Sequence, residues 1–377
     1  MRVPLVDLAG QEATVAADAI ARIATVARRG KFVLGPPVEQ FERWLADFCG
    51  TSEAVGVASG TDAIELSLRA LGVGPGDAVI TPAFSFVAAA EAIAATGARP
   101  LFCDIDAETM NANVLTTADA LRRGRRAGLR VRALVPVHLF GRCTPHALQS
   151  FAREEGLTLV EDSAQALGAR DDAGVPAGGA GDAGTLSFFP TKVLGAWGDG
   201  GAIVTSRAEV AARVRRLRAH GAVEPYVHAE TGRNSRLDAV QAAILLSKTA
   251  HLARWSEARA RIAERYRTDL GGLPLILPPP VERPGVHAWH AFVIQTAQRD
   301  DLARHLAARD IETRAYYPVP LHRQPCFSSL DEPSMPVAEA ACRTALAVPM
   351  FVTLSPDQQA IVIDEIKRFF EGRRSSS

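Results

Sequence analysis

Cysteine is scarce in this 377-residue chain, and its five cysteines are not placed to act together. Cys49, Cys103, Cys143, Cys326 and Cys342 are odd in number and widely spaced. No Cys-x-x-Cys pair or Cys/His ligand spacing occurs, so neither a disulfide framework nor a metal site is expected. Such usage suits a reducing compartment. Long apolar runs are also missing. The longest stretch without Asp, Glu, Lys or Arg, Pro284–Gln298, holds two histidines and is too short to span a bilayer. The opening Met1-Arg-Val-Pro-Leu-Val-Asp7 has no apolar signal core, and a cytoplasmic location is expected. No charge excess exists either: 42 Lys plus Arg balance 42 Asp plus Glu. That balance argues against a nucleic-acid or membrane-surface binder. The one dense basic cluster, Arg122-Arg123-Gly-Arg125-Arg126, reads as a solvated helix end or loop. No Gly-x-Gly-x-x-Gly follows the first strands, which disfavours a nicotinamide enzyme. Repeats and low-complexity segments are absent.

What is present is alternation. Short apolar runs at Val79-Ile80, Leu101–Cys103, Val131–Val137, Leu157–Val160, Thr185–Phe189 and Ala202–Thr205 read as buried strands. Between them lie helical stretches such as Thr61–Leu71, Phe86–Ala95, Pro145–Glu155 and Glu209–Ala219. This order implies an α/β fold with a mostly parallel sheet covered on both faces. Ligands in such sheets sit beyond the carboxyl ends of the strands. Leu237–Trp255 reads as one long amphipathic helix leading to a smaller α+β unit. That unit contains a Pro-rich turn at Gly271–Pro280, a strand at Ala291–Gln295 and a helix at Asp301–Ala308. The Ser-rich tail after Gly372 is expected to fray.

Two residues carry the chemistry. Lys192 lies in Ser187-Phe-Phe-Pro-Thr-Lys-Val-Leu-Gly195, an apolar and aromatic strand end where lysine seldom sits unless its charge is paired or removed. A Schiff base removes the free ammonium. Asp162 ends the run Leu-Thr-Leu-Val-Glu, where a carboxylate can hold a pyridinium nitrogen or simply cap a helix. Together they are the two contacts that pyridoxal 5'-phosphate (PLP) needs most. Glu161 faces the opposite side of the strand and is expected to be structural. Ser59-Gly60-Thr61 opens a helix whose first N–H groups are free, which suits a phosphate or an ordinary cap. Ser187 is a second phosphate candidate. Phe86 is placed to stack on a ring or to fill the core. Gln165 is placed to donate to a phenolic oxygen.

In order along the chain, these motifs resemble the DegT/DnrJ/EryC1/StrS aminotransferases. Pro4–Leu8, Gly30–Gly35, Ser59–Ala63, Thr81–Phe86, Pro136–Gly141, Glu161–Gln165, Ser187–Lys192, Gly198–Gly201, Gly232–Gln241, Tyr316–His322 and Val348–Met350 carry the likeness. The resemblance implies PLP fold type I, aspartate aminotransferase-like, with a mostly parallel seven-stranded sheet. Residues 1–250 would form the large PLP-binding domain with the N-terminal segment, and residues 251–377 the small C-terminal domain. It implies Lys192 as the Schiff-base lysine and Asp162 as the pyridine-nitrogen partner. Gln165 would contact the cofactor hydroxyl, and Phe86 would stack on the ring. Gly60, Thr61 and Ser187 would hold the phosphate, and Asn234 would reach the neighbouring subunit's phosphate in an obligate homodimer. Tyr317 and His322 would line the substrate pocket. Retention of lysine at 192 favours transamination over the dehydration run by relatives that carry histidine there. The implied reaction is ping-pong transfer from L-glutamate, leaving 2-oxoglutarate, to a nucleotide-linked keto-sugar. The stretch Phe351-Val-Thr departs from the family's more usual His-containing sequence. A keto-cyclitol or other keto acceptor, and a non-catalytic PLP-binding regulator, remain as alternatives. The sugar, the aminated carbon, the nucleotide and the stereochemistry are not written in these motifs.

Overall fold

The computed structural model describes residues 2–281, 283 and 285–374. Its centre is a seven-stranded sheet. In chain order the strands are β1 (Glu53–Val57), β2 (Asp77–Pro82), β3 (Arg99–Cys103), β4 (Arg130–Leu134), β5 (Thr158–Asp162), β6 (Ala183–Ser187) and β7 (Gly201–Thr205). They lie side by side as β1-β7-β6-β5-β4-β2-β3. The run from β6 to β3 is parallel, and β7 is antiparallel to both β6 and β1.

Side-chain alternation explains why these strands are almost wholly apolar. Successive residues face opposite sides of a sheet, and both sides are covered here. Val79, Phe102, Ala133 and Val160 join one core with Ile64 and Leu68 of helix Gly60–Ala70. Their neighbours Ile80, Leu101, Leu134 and Leu159 join another with Leu121 and Leu148. A third core packs on one face of the antiparallel pair Phe292–Gln295 and Ala345–Val348 and holds Tyr266, Leu302 and Ile366, while Val293 and Ala347 on the other face join the first core. Val3 belongs to this third core and bridges Ile311.

The structure departs from the sequence reading at one strand and one helix, and the expected fraying of the Ser-rich tail falls largely outside the described residues. Strand β1 is absent from the sequence reading because Gly56 interrupts its short apolar run. A Cβ there would lie 2.9 Å from Leu237 Cβ, so the glycine admits that side chain. The stretch Leu237–Trp255 is not one helix. It folds as helix Ala239–Lys248, a 3-10 turn at Thr249–His251, and helix Leu252–Asp269. Near the break, the Ser247 and Thr249 hydroxyls donate to carbonyls three residues back, a pattern that bends helices. At the C-terminus the last helix, Pro356–Arg374, runs past Gly372, and Ser375–Ser377 lie outside the described residues.

Segment 287–291 runs beside residues 140–142. Ala288 N–H donates to Gly141 O at 2.8 Å and His290 N–H to Phe140 O at 3.0 Å. Gly141 permits this approach. Its φ is 104°, and a Cβ would lie 2.9 Å from Trp289 N and 3.0 Å from Gln165 O. Gly141→Ala is therefore expected to cost about 1–3 kcal/mol, read as a lower urea midpoint. Gly128→Ala, also at positive φ but with open space around it, should cost less.

Candidate active site

The site forms where the parallel strands end. Asp162 is the last residue of β5 and Ser187 the last of β6, and the helix starting at Gly60 points its first turn at them. Ser59 Oγ caps that helix by accepting the Asp62 N–H at 3.1 Å. Gly60 is required by closeness, since a Cβ would lie 2.7 Å from Ser187 Cβ. A cavity of about 390 Å³ opens here, and Gly60, Thr61, Phe86, Asp162, Gln165, Ser187, Lys192 and Tyr317 all line it. Eight of the ten residues singled out from the sequence thus meet in one place.

Asp162 is buried, and one carboxylate oxygen accepts the Ala164 N–H at 3.1 Å. Burial raises its pKa, while that bond and the positive charge of Lys192 pull it down. Lys192 shows the converse. Burial lowers its pKa and Asp162 raises it. The two do not form a direct ion pair, and Lys192 Nζ makes no hydrogen bond among the described residues. An amine with no partner beside a carboxylate short of donors is chemically unfinished. Phe86 is 55% exposed, so this aromatic forms a wall of the cavity and is not core. Its ring centroid is 6.2 Å from that of Tyr317. Gln165 Oε1 accepts the Phe140 N–H at 2.6 Å, and its Nε2 donates to the Tyr317 hydroxyl at 3.0 Å.

Glu161 is structural, as its alternation on the strand requires. It accepts N–H groups from Gly178, Ala180 and Gly181 at 3.2, 2.8 and 2.7 Å. Thr144 N–H donates to His138 Nδ1, so His138 Nε2 carries the proton and donates to Glu161 at 2.9 Å.

Two residues fall elsewhere. His322 does not line the cavity. The 3-10 turn Leu321–Arg323 turns its ring inward, where Nε2 lies 2.9 Å from Glu339 Oε1 and the ring sits near Phe102. That bond holds the Glu339 carboxyl down to about 2. Asn234 is exposed and pairs through its backbone with Ala219, outside this chain's cavity. Its neighbour Ser235 ties the segment to the capped helix by donating to Asp62 at 2.6 Å.

His290 and Tyr316 line the cavity and escaped the sequence reading. His290 Nδ1 is buried without a hydrogen-bond partner, and burial together with Lys192 keeps the ring well below its ordinary pKa. Its one sequence signal was a histidine inside the uncharged stretch Pro284–Gln298.

Residues 13–367 match the model of the DegT/DnrJ/EryC1/StrS aminotransferase family. The chain belongs to that family. It is 41% identical to dTDP-3-amino-3,4,6-trideoxy-alpha-D-glucose transaminase of Streptomyces venezuelae, over 98% of this chain and 97% of that protein. It is 40% identical to a "pleiotropic regulatory protein" of Geobacillus stearothermophilus, over 98% of this chain and 99% of that one. Among solved structures, S. venezuelae DesV in complex with a ketimine intermediate superposes with a TM-score of 0.93 at 41% identity, covering 98% of this chain and 99% of that chain. The fold is PLP fold type I.

The lowered pKa of Lys192 makes a stability prediction for cofactor-free protein. The folded chain gives up this proton at lower pH than the unfolded chain, whose lysine titrates near 10.5. Stability then rises with pH across the window below 10.5 and the gain is complete above it. Wild type should gain stability relative to Lys192→Met between neutral pH and about 10.5 in urea titrations. A pH-independent difference would contradict this.

Proposed function

We propose that this chain is a PLP-dependent aminotransferase that converts a nucleotide-linked keto-sugar to an amino-sugar, with L-glutamate as donor and 2-oxoglutarate as the spent product. The observation that carries the reading is that Lys192, with no hydrogen bond to its amine among the described residues, and Asp162 line the same cavity and sense each other's charge. The residues fit the cofactor. Gly60 leaves a cradle against Ser187 that a Cβ would fill, and Phe86 offers a ring face at the cavity wall.

When bound, PLP supplies an electron sink for the carbanion at the amino-bearing carbon. Lys192 Nζ would hold the group through its aldehyde carbon. Burial favours the neutral Lys192 amine, which could take and return a proton at the amino-bearing carbon. Asp162 would keep the ring nitrogen protonated. Gly60 and Thr61, at the helix N-terminus, and Ser187, at the end of β6, would hold the phosphate. Gln165 would meet the cofactor hydroxyl and Tyr317 the substrate. Residues 1–250 serve as the cofactor-binding domain and 251–377 as the smaller domain, with Val3 reaching across to the latter's core.

The working unit in this reading is a homodimer. Among the described residues no arginine lines the cavity, which leaves room for a partner subunit to supply groups for a substrate diphosphate. Asn234 is exposed, and the hairpin Ala222–Glu224/Val227–His228 presents Val223, Val227 and a 97%-exposed Tyr226. Apolar groups so exposed suit a covered face. No described helix is long and apolar enough to cross a membrane, and we place the enzyme in the cytoplasm. Carbon 3 is taken as the aminated position, after the name of the S. venezuelae relative.

The purified protein should show a visible absorption band that Lys192→Ala removes. Wild type should move labelled nitrogen from glutamate to a nucleotide-linked 3-keto-sugar, and Lys192→Ala should lose at least about a hundredfold in rate. Turnover by Lys192→Ala would overturn the assignment. The name of the G. stearothermophilus relative raises a second reading, a PLP-binding regulator. A visible band without turnover on any keto-sugar or keto-cyclitol would favour it.

A further inference from the structure

Lys248 is completely buried, an unusual place for an ammonium. It ends helix Ala239–Lys248 and faces the loop that carries Lys192. Its Nζ lies 2.5 Å from Glu12 Oε1 and 2.6 Å from Gly195 O, three residues beyond Lys192. Glu12, on the short helix Leu8–Ala13, also accepts the Trp197 indole N–H at 2.5 Å through its other oxygen. Gln241 lies two turns before Lys248 on the same helix and accepts the Trp197 backbone N–H at 2.9 Å. The loop is thus gripped at Gly195 and twice at Trp197. It is also closed on itself. Ala196 N–H donates to Phe188 O and Lys192 N–H to Phe189 O. A Cβ on Gly195 would lie 2.3 Å from Pro190 O, so the loop has no slack at that point.

This arrangement is not what stability alone would select. A buried ion pair is often no more stabilising than apolar side chains of the same size. What it does provide is a fixed position, because a buried ammonium must keep its acceptors. We propose that Lys248 and Glu12 are positioning residues that set where the Lys192 amine stands in the cavity. The proposal rests on the assignment of Lys192 as the cofactor lysine. It adds that the helix Leu8–Ala13, none of whose residues lines the cavity, helps to position that amine.

The test uses Lys248→Met, the double variant Glu12→Gln/Lys248→Met, and Trp197→Phe, which removes the indole donor and keeps an aromatic ring. Leu302→Ala, in the third core, controls for general loss of stability. Two quantities are read: hydrogen exchange of the 189–197 amides in cofactor-free protein, and the rate at which added PLP produces the visible band. Exchange should quicken about tenfold or more in the loop variants. Band formation and kcat should fall roughly ten- to a hundredfold with KM near wild type. Leu302→Ala should leave all of these near wild type. If Lys248→Met fails to fold, the double variant and Trp197→Phe decide the matter. Folded loop variants with wild-type exchange and band formation would overturn the proposal, as would equal effects in Leu302→Ala. A wild type that forms no visible band defeats the functional reading instead, while the exchange data still measure the grip on the loop.

Discussion

The site depends on one strand end, where two adjacent carboxylates face opposite ways. Glu161 turns into the protein and Asp162 toward the cavity because neighbouring residues on a strand alternate. Glu161 collects three backbone N–H groups and the proton of His138, so its charge is answered four times. Those bonds fasten residues 178–181, which lead into β6, and so help to place Ser187 at its far end. Asp162 has one such bond. A buried carboxylate supplied with a single donor is held in reserve for a further partner. The same backbone alternation thus separates a carboxylate that builds the site from one that faces its cavity.

Two buried cations show different solutions to the same cost. Lys248 has a carboxylate and a carbonyl. Arg259 is buried against the Trp289, His290 and Met350 carbonyls, nearest at 3.1 Å, and burial lowers its pKa to about 10. Its position matters because Trp289 and His290 belong to the segment that crosses from the third core to the cavity wall. Arg259 therefore steadies from behind the backbone that brings His290 to Lys192. Cations placed outside the reacting centre fix the two loops that converge on it.

Much of this was legible in the residues. The strands β2 to β7 were readable because burial on both faces makes each a short apolar run. Asp162 and Lys192 were readable because charged groups at apolar strand ends need a reason. Strand β1 was not, since Gly56 answers to Leu237, 181 positions later. The break after Lys248 depends on hydroxyls bonding back along their own helix, which no apolar pattern reports. His322 matched a motif and still turned inward, because Glu339, 17 residues later on the following helix, claims its ring. His290 and Lys248 gained their meaning only from contacts with Phe140 and Gly195, far away in sequence. Local pattern reveals elements and chemically exceptional residues, whereas which side of an element a polar group serves is set by long-range neighbours.

The two functional side chains share an energetic debt. Burial disfavours the charge on Lys192 and the charge on Asp162, and each is only partly relieved by the other. Their separation prevents the direct ion pair that would settle both, and a direct pair would also close the space between them. A bound ligand that engaged the amine and offered the carboxylate a proton donor would relieve both penalties. Because it binds the folded chain and not the unfolded one, its affinity adds directly to the stability of the fold. The strain in the cofactor-free site and the binding of the cofactor are therefore one quantity seen from two sides. A sequence that relieved it internally, by moving Lys192 onto Asp162, would gain stability and, on the proposed assignment of Lys192, lose the reaction.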